Sequence, residues 1–218
     1  MGWYEGAGGR HPGWPAAVGS LRVPAGVVAL RPVRLLDGSE WSRIRLRDVD
    51  HLEPWEPSGK ETWGERNGLL AWPGHCWALR AMARRGQALP FAILVDGRFA
   101  GQLSISNVVR GALLSAWIGY WVSADITGRG VATAAVALGV DHCFGPVGLH
   151  RLEATVRPEN LASRRVLEKL GFRQEGLFVR YLSVAGAWRD HLGYALTIED
   201  VPEGLVVRML HAGLAELA

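Results

Sequence analysis

The stretch Thr127-Gly128-Arg129-Gly130-Val131-Ala132-Thr133 constrains the fold more than any other part of this 218-residue chain. An apolar, aromatic run at 116–122 precedes it and reads as a buried strand. The run at 131–138 that follows is rich in Ala and Leu and reads as a helix. A glycine-rich turn between strand and helix leaves the helix's first N–H groups without backbone partners. Those amides, with the positive end of the helix dipole, make a site for phosphate. Glycine also lets the backbone approach an anion closely, because no Cβ intervenes. The loop predicts a phosphorylated cofactor, cradled by the amides of Gly128, Arg129, Gly130, Val131, Ala132 and Thr133.

The rest of the chain narrows the class. With 49% hydrophobic residues it can bury a real core. Net charge is only +3, which permits an anionic ligand or a ribosomal neighbourhood and demands neither. No run of basic residues with interleaved aromatics appears, so direct nucleic-acid binding is not indicated. Cys76 and Cys143 form no CxxC pair, and no metal-ligand spacing surrounds the histidines; a reduced, cytoplasmic protein with buried thiols and no metal is expected. No stretch approaches the ~20 apolar residues of a membrane helix. Of the ten tryptophans, several belong in a core and some in a pocket.

Along the chain, residues 1–26 read as a loosely held N-terminal extension, residues 27–200 as one domain, and 201–218 as a C-terminal tail. A first strand falls at 27–32 and a helix at 39–50, with Trp41, Ile44 and Leu46 as its apolar positions. The prolines of His51-Leu-Glu-Pro-Trp-Glu-Pro57 make that segment a structured loop. A helix follows at 75–85, then a hairpin, 91–95 and 98–106, about Asp96-Gly97. The next antiparallel strand is 113–122, and the back half reads helix 131–144, strand 151–157, helix 160–170, and strands 172–182 and 188–197. The fold class is α/β (α+β), antiparallel in front and strand–helix–strand–helix–strand behind. A dinucleotide-binding dehydrogenase would need its G-x-G-x-x-G after the first parallel strand, and is set aside.

The chain resembles the GNAT superfamily of N-acetyltransferases over roughly residues 30–200. The phosphate motif of that superfamily falls on Thr127-Gly-Arg-Gly130-Val-Ala132, with threonine where the family places Gln or Arg. Asn160-Leu-Ala-Ser163 and Leu167-Glu-Lys-Leu-Gly-Phe172 match its second signature. His51-Leu-Glu-Pro-Trp-Glu-Pro57 and Trp188-Arg-Asp-His191 are similar to the RimJ/RimL-type ribosomal-protein N-terminal acetyltransferases. The resemblance implies a mixed sheet of about six to seven strands flanked by helices, with CoA at a splay after the fourth. It implies acetyl transfer from acetyl-CoA to an α-amino group in a ternary complex, by a monomer or homodimer. A small amine such as an aminoglycoside or polyamine is the alternative acceptor. A non-catalytic acyl-CoA-binding regulator is the alternative from another class.

The resemblance also implies roles for residues. The strand edge at Tyr120, Trp121 and Val122 would pair with the pantetheine arm. Asn160, a helix N-cap in any case, would bind the cofactor. Ser163, one turn on, is the candidate proton donor to the leaving thiolate, because Leu167 stands where many relatives carry a tyrosine; its other reading is an ordinary first-turn serine. Glu56 and Glu153 are candidate carboxylates to orient the amine or a water, Glu153 equally an exposed strand residue. Trp55, Glu56 and Tyr181 would line the acceptor pocket, with Trp188 and His191 weaker members and core packing the preferred role for Trp188. Arg129 reads equally as a phosphate contact or as a solvated loop cation. His142 and Cys143 read as structural.

Overall fold

The computed structural model describes residues 13–218. Nine strands are present among them: β1 (Val18–Val23), β2 (Gly26–Pro32), β3 (Leu89–Val95), β4 (Arg98–Val109), β5 (Ser115–Val122), β6 (Arg151–Val156), β7 (Arg173–Val184), β8 (Ala187–Thr197) and β9 (Glu216–Leu217). They form one sheet in the order β7-β8-β6-β5-β4-β3-β2-β1-β9. All neighbours are antiparallel except β5 and β6. The helices are α1 (Gly38–Arg47), α2 (Val49–Leu52), α3 (Trp63–Asn67), α4 (Trp72–Arg84), α5 (Val131–Phe144), α6 (Leu161–Lys169) and α7 (Leu205–His211).

The expected back half is present, and α5 covers 131–144 as read from its composition. The expected strand count of six to seven is corrected to nine. Val18–Val23, assigned to the extension, pairs with β2, and the C-terminal Glu216–Leu217 pairs with β1 in turn. Trp14 is also buried, its ring 5.5 Å from Phe91; residues 1–12 of that extension lie outside the described residues. Asp96 and Gly97 both take positive φ, +48° and +77°, the twist a two-residue hairpin turn demands.

Strand alternation sends side chains to two faces. On one, α5 packs Val131, Ala134, Ala135 and Leu138 against Leu103, Ile105, Ala116 and Ile118. Gly139 marks their closest approach: a Cβ there would lie 2.8 Å from Leu103 Cδ2. On the other face, Trp41 and Ile44 of α1 and Trp72 and Cys76 of α4 cover Ala92 and Phe99. Leu46, read as an inward position of α1, is 43% exposed, and Arg45 turns inward instead.

Asp141, on α5, reaches across to accept from the amides of Leu205 and Val206, 2.7 and 2.9 Å away, closing the first turn of α7. Asp141→Ala removes both bonds and should cost about 1–2 kcal/mol, the worth of a helix cap. A urea melt would show a lower midpoint at unchanged slope.

Candidate active site

The β5–β6 pairing ends early. Its register runs only Ser115↔Arg151, Ala116↔Leu152 and Trp117↔Glu153, after which the strands part. Beyond that point β5 pairs only with β4, and β6 only with β8. A cleft of about 1180 Å³ runs through the opening, bordered by Gly119 to Val122 on one side and Ala154 to Val156 on the other.

The phosphate loop lies at one end of this cleft. Gly128 and Gly130 take φ of +73° and +88°, left-handed values that a side chain would strain. Among the described residues the amides of Gly128 to Thr133 have no backbone partner, while Ala134 N–H already donates to Gly130 O. These donors, the dipole of α5 and the open splay fit a diphosphate joined to an extended amide-bearing arm. Gly128, Gly130, Val131, Ala132 and Thr133 all line the cleft. Arg129 does not: its guanidinium donates to Pro24 O at 3.0 Å. Arg165 and Lys169 of α6, one turn apart and absent from the sequence expectations, line the cleft as cations. The turn before the loop is clamped to α1. Arg47 donates to Asp125 and Ser123, both at 2.6 Å, and Asp48 accepts from Ala124 N–H at 2.8 Å. Burial alone would raise the Asp48 carboxyl, but Arg47 and that amide hold it below its ordinary value.

Asn160 caps α6, its side-chain oxygen accepting from Ser163 N–H at 3.0 Å. Ser163 Oγ lies 3.0 Å from the Tyr120 hydroxyl, which also reaches Ser163 O at 3.3 Å. Burial pushes the Tyr120 phenol well above the ordinary tyrosine value, against the pull of that hydrogen bond. The phenol therefore keeps its proton, which it donates to Ser163 O, while either hydroxyl can donate between the phenol and Ser163 Oγ. The tyrosine absent from the helix at Leu167 has a hydroxyl counterpart arriving from the strand. Single-residue inspection could not show this, since it needs the register of β5 against α6.

The opposite face of β5 belongs to the other half of the cleft. Arg45, only 6% exposed at its side chain, pairs with Glu56 at 2.7 Å and donates to Asn67. Its guanidinium lies 4.9–5.4 Å from the ring centroids of Trp41, Trp63 and Trp121. Such cation–π contacts, largely desolvated, suit a planar cation. Glu56 and Trp55 line the cleft as expected, with Arg157 stacked 5.4 Å over Trp55. Glu56 is neutralised rather than free. His75 stacks on Trp41, and the rings around it and Arg45 depress its basicity.

Glu153 and Tyr181 stand outside the main cleft. Glu153 is tied to Arg151 at 2.6 Å and borders a smaller hollow beside Trp117. Tyr181 stacks on Trp117 at 6.0 Å and meets His191 edge-on at 5.7 Å; His191 itself lines the cleft. Trp188 does not pack in the core but is 66% exposed near the β7–β8 turn. His142 and Cys143 are buried on α5, as read; burial pushes the Cys143 thiol up, and His142 bonds Gly13 O.

Sheet, splay and phosphate loop together define an acyl-CoA-dependent transferase. The family model described as "Acetyltransferase (GNAT) domain" matches residues 28–173, and the chain belongs to that family. The solved structure of Mycobacterium smegmatis RimJ in complex with CoA-disulfide is 60% identical, with a TM-score of 0.94, covering 95% of this chain and all of that one. The probable N-acetyltransferase YjcK of Bacillus subtilis (strain 168) is 44% identical over 79% of this chain and 95% of its own length. The [ribosomal protein uS5]-alanine N-acetyltransferase of Escherichia coli (strain K12) is 27% identical over 88% and 98%. The protein is an N-acetyltransferase that uses acetyl-CoA.

Two outcomes test this geometry. Gly130→Ala forces a left-handed alanine whose Cβ sits 3.1 Å from Val23, costing about 1–2 kcal/mol. CoA affinity measured by calorimetry should fall roughly 5- to 30-fold if the loop relaxes. Arg45→Met leaves the Glu56 carboxylate without its partner. With Glu56 partly exposed, the loss should be about 2–3 kcal/mol by chemical denaturation, at the low end for a buried pair.

Proposed function

We propose that the acceptor is the α-amino group at a protein N-terminus, that of a ribosomal protein in the first instance. The observation that carries this is the character of the acceptor half of the cleft. Its wall is Trp41, Trp55 and Trp121 around Arg45, with Arg66 and Arg157 alongside. Of the carboxylates bordering the cleft, Glu56 is neutralised by Arg45 and Glu159 is paired with Arg157. A polyamine or aminoglycoside, carrying several positive charges, would meet cations there. A peptide end carries one ammonium and a run of amides, which suits an aromatic slot with hydrogen-bonding groups such as Gln102 and Asn67. The similarity to RimJ and to the uS5-alanine enzyme supports the same acceptor class, which would meet the enzyme in the cytoplasm.

The chemistry divides between the faces. Bound acetyl-CoA supplies an activated acyl group and a thiolate leaving group. The amides of the phosphate loop and the edges of β5 and β6 hold that substrate in line with the acceptor, which lowers the entropic part of the barrier. Asn160 fixes the first turn of α6 and so the position of Ser163. Ser163 Oγ delivers a proton to the departing sulfur, and the Tyr120 phenol hydrogen-bonds the same oxygen. Glu56, oriented by Arg45, accepts from the acceptor's N–H groups beside Trp55. Trp117 and Tyr181 stack on each other outside the cleft, and Tyr181 packs on the edge of His191. An α-amino group ionises near pH 8, so deprotonating it is an easy task.

Thiol release from acetyl-CoA against peptides beginning with Ala, Ser or Thr, spermidine and an aminoglycoside tests the acceptor. Turnover confined to the peptides is expected; turnover confined to the polycations would reverse the assignment. Ser163→Ala should lower kcat about 100-fold, the lower end for general acid catalysis, at unchanged CoA affinity. A variant with unaltered kcat would remove Ser163 from the chemistry.

A further inference from the structure

Acetyl transfer from a protonated amine must dispose of one proton: the ammonium and the acetyl thioester become an amide, a thiol and a free proton. In the resulting balance an N–H bond breaks and its electron pair stays on nitrogen. A C–N bond then forms, the C–S bond breaks, sulfur takes its proton from Ser163, and a second N–H bond of the now cationic nitrogen breaks to return a proton to Ser163 Oγ. The two carboxylates expected to orient the amine or a water are both engaged, Glu56 by Arg45 and Glu153 by Arg151. We propose that the Nε2 atom of His191 accepts the ammonium's proton, an inference that rests on the N-terminal acceptor reading above.

Three observations point to it. His191 lies on β8 next to Leu192, which pairs with Val156 at the end of β6, so it stands one strand from the splay. By strand alternation it shares a face with Gly193, which borders the hollow beside Trp117 and Glu153, the face on which Trp121 and Gln102 also lie. It therefore stands on the acceptor side and not on the side of α5 and α6. Second, the residue is only 3% exposed yet borders the cleft. Third, its Nδ1 lies 3.1 Å from Arg189 O. A carbonyl oxygen only accepts, so Nδ1 carries the hydrogen and Nε2 the lone pair. No group among the described residues hydrogen-bonds Nε2, which is not among the fully enclosed orphan atoms either.

A local irregularity holds the ring in place. Between Phe178↔His191 and Leu182↔Arg189, four steps along β7 oppose two along β8. The bulge is fixed by Arg180, at φ +50°, whose N–H donates to Asp190 Oδ1 at 2.7 Å. It turns the Tyr181 ring onto the edge of His191. The titratable and charged groups around the imidazole are Tyr181 and Arg180 of β7, Arg189 and Asp190 of β8, Glu153 of β6 and Arg157 just beyond the end of that strand. Arg45, Glu56 and His75 face it from across the cleft.

The test is His191→Gln, which keeps a hydrogen-bonding side chain of similar length and cannot hold the proton. With an Ala-initiated peptide, kcat/KM should fall about 100-fold. The acidic limb of its pH profile should move up to the ionisation of the free amine itself, near pH 8, and CoA affinity and melting temperature should hold. In His191→Gly, added imidazole should restore part of the rate, which a merely structural role would not allow. Without any acetyl-CoA, the His191 ring ¹⁵N signals should move when the free-amine peptide is titrated in and stay when its Nα-acetylated form replaces it. An acidic limb that keeps its wild-type position in His191→Gln, or one that moves with His75→Gln instead, overturns the role of His191 alone. Ring signals indifferent to the free amine do the same. Wild-type silence toward every peptide overturns the acceptor reading and this inference with it.

Discussion

The parting of β5 and β6 is the constraint on which the rest of the molecule depends. A parallel pair that holds through only Trp117↔Glu153 leaves two strand edges facing each other with their N–H and C=O groups unspent. Neither strand loses its other neighbour, since β5 stays laddered to β4 as far as Val122↔Gly101 and β6 to β8 as far as Val156↔Leu192. The gap is therefore rigid. Backbone groups at such edges need partners, and an extended arm bearing amides supplies them as a third strand would. Nearby, α5 presents its unpartnered N-terminal amides. The site thus follows from the interruption of a sheet that is otherwise continuous across nine strands.

Because the gap passes through the sheet, it joins two surfaces that never otherwise meet. Adjacent residues of β5 face different halves of the cleft. Tyr120 points toward α6 and Ser163, whereas Trp121 points toward Arg45 and the aromatic wall. A one-residue slip of β5 would send both to the opposite faces, taking the phenol away from the serine and the indole away from Arg45. Gly101 guards that register: a Cβ there would fall 2.2 Å from Trp121 O, so β4 and β5 approach at this point as only glycine allows.

This division explains what was legible in the residues alone. The phosphate loop, α5, and the Asn160–Ser163 turn are local motifs whose chemistry lies in consecutive residues, and they appear where expected. The edge strand β9 was not legible, because its pairing partner β1 lies nearly the whole chain away; Leu21↔Leu217 is a contact no local pattern encodes. Arg45 escaped notice for a related reason. A charged residue on a helix is ordinarily solvated, and only three tryptophans, two of them from outside α1, make its burial tolerable. Its spacing of four from Trp41 was the one local signal available. Trp188 shows the opposite error, in which a large apolar ring implied a core and the hairpin placed it in solvent.

Arg45 and Arg47 also show how the two substrates are kept in register. They leave the same turn of α1 in different directions. Arg45 enters the acceptor wall and fixes Glu56, while Arg47 spans to Ser123 and Asp125 in the turn that begins the phosphate loop. Asp48 accepts from the Ala124 amide of that turn and completes the clamp. The acceptor wall and the donor loop are thus held by one short helical segment, independently of the sheet that lies between them. A nucleophile must approach its acyl carbon to within an ångström or less of the productive position for the gain from proximity to be realised. Two sites carried by separate flexible loops could not hold that tolerance, and two sites braced against the same helix turn can.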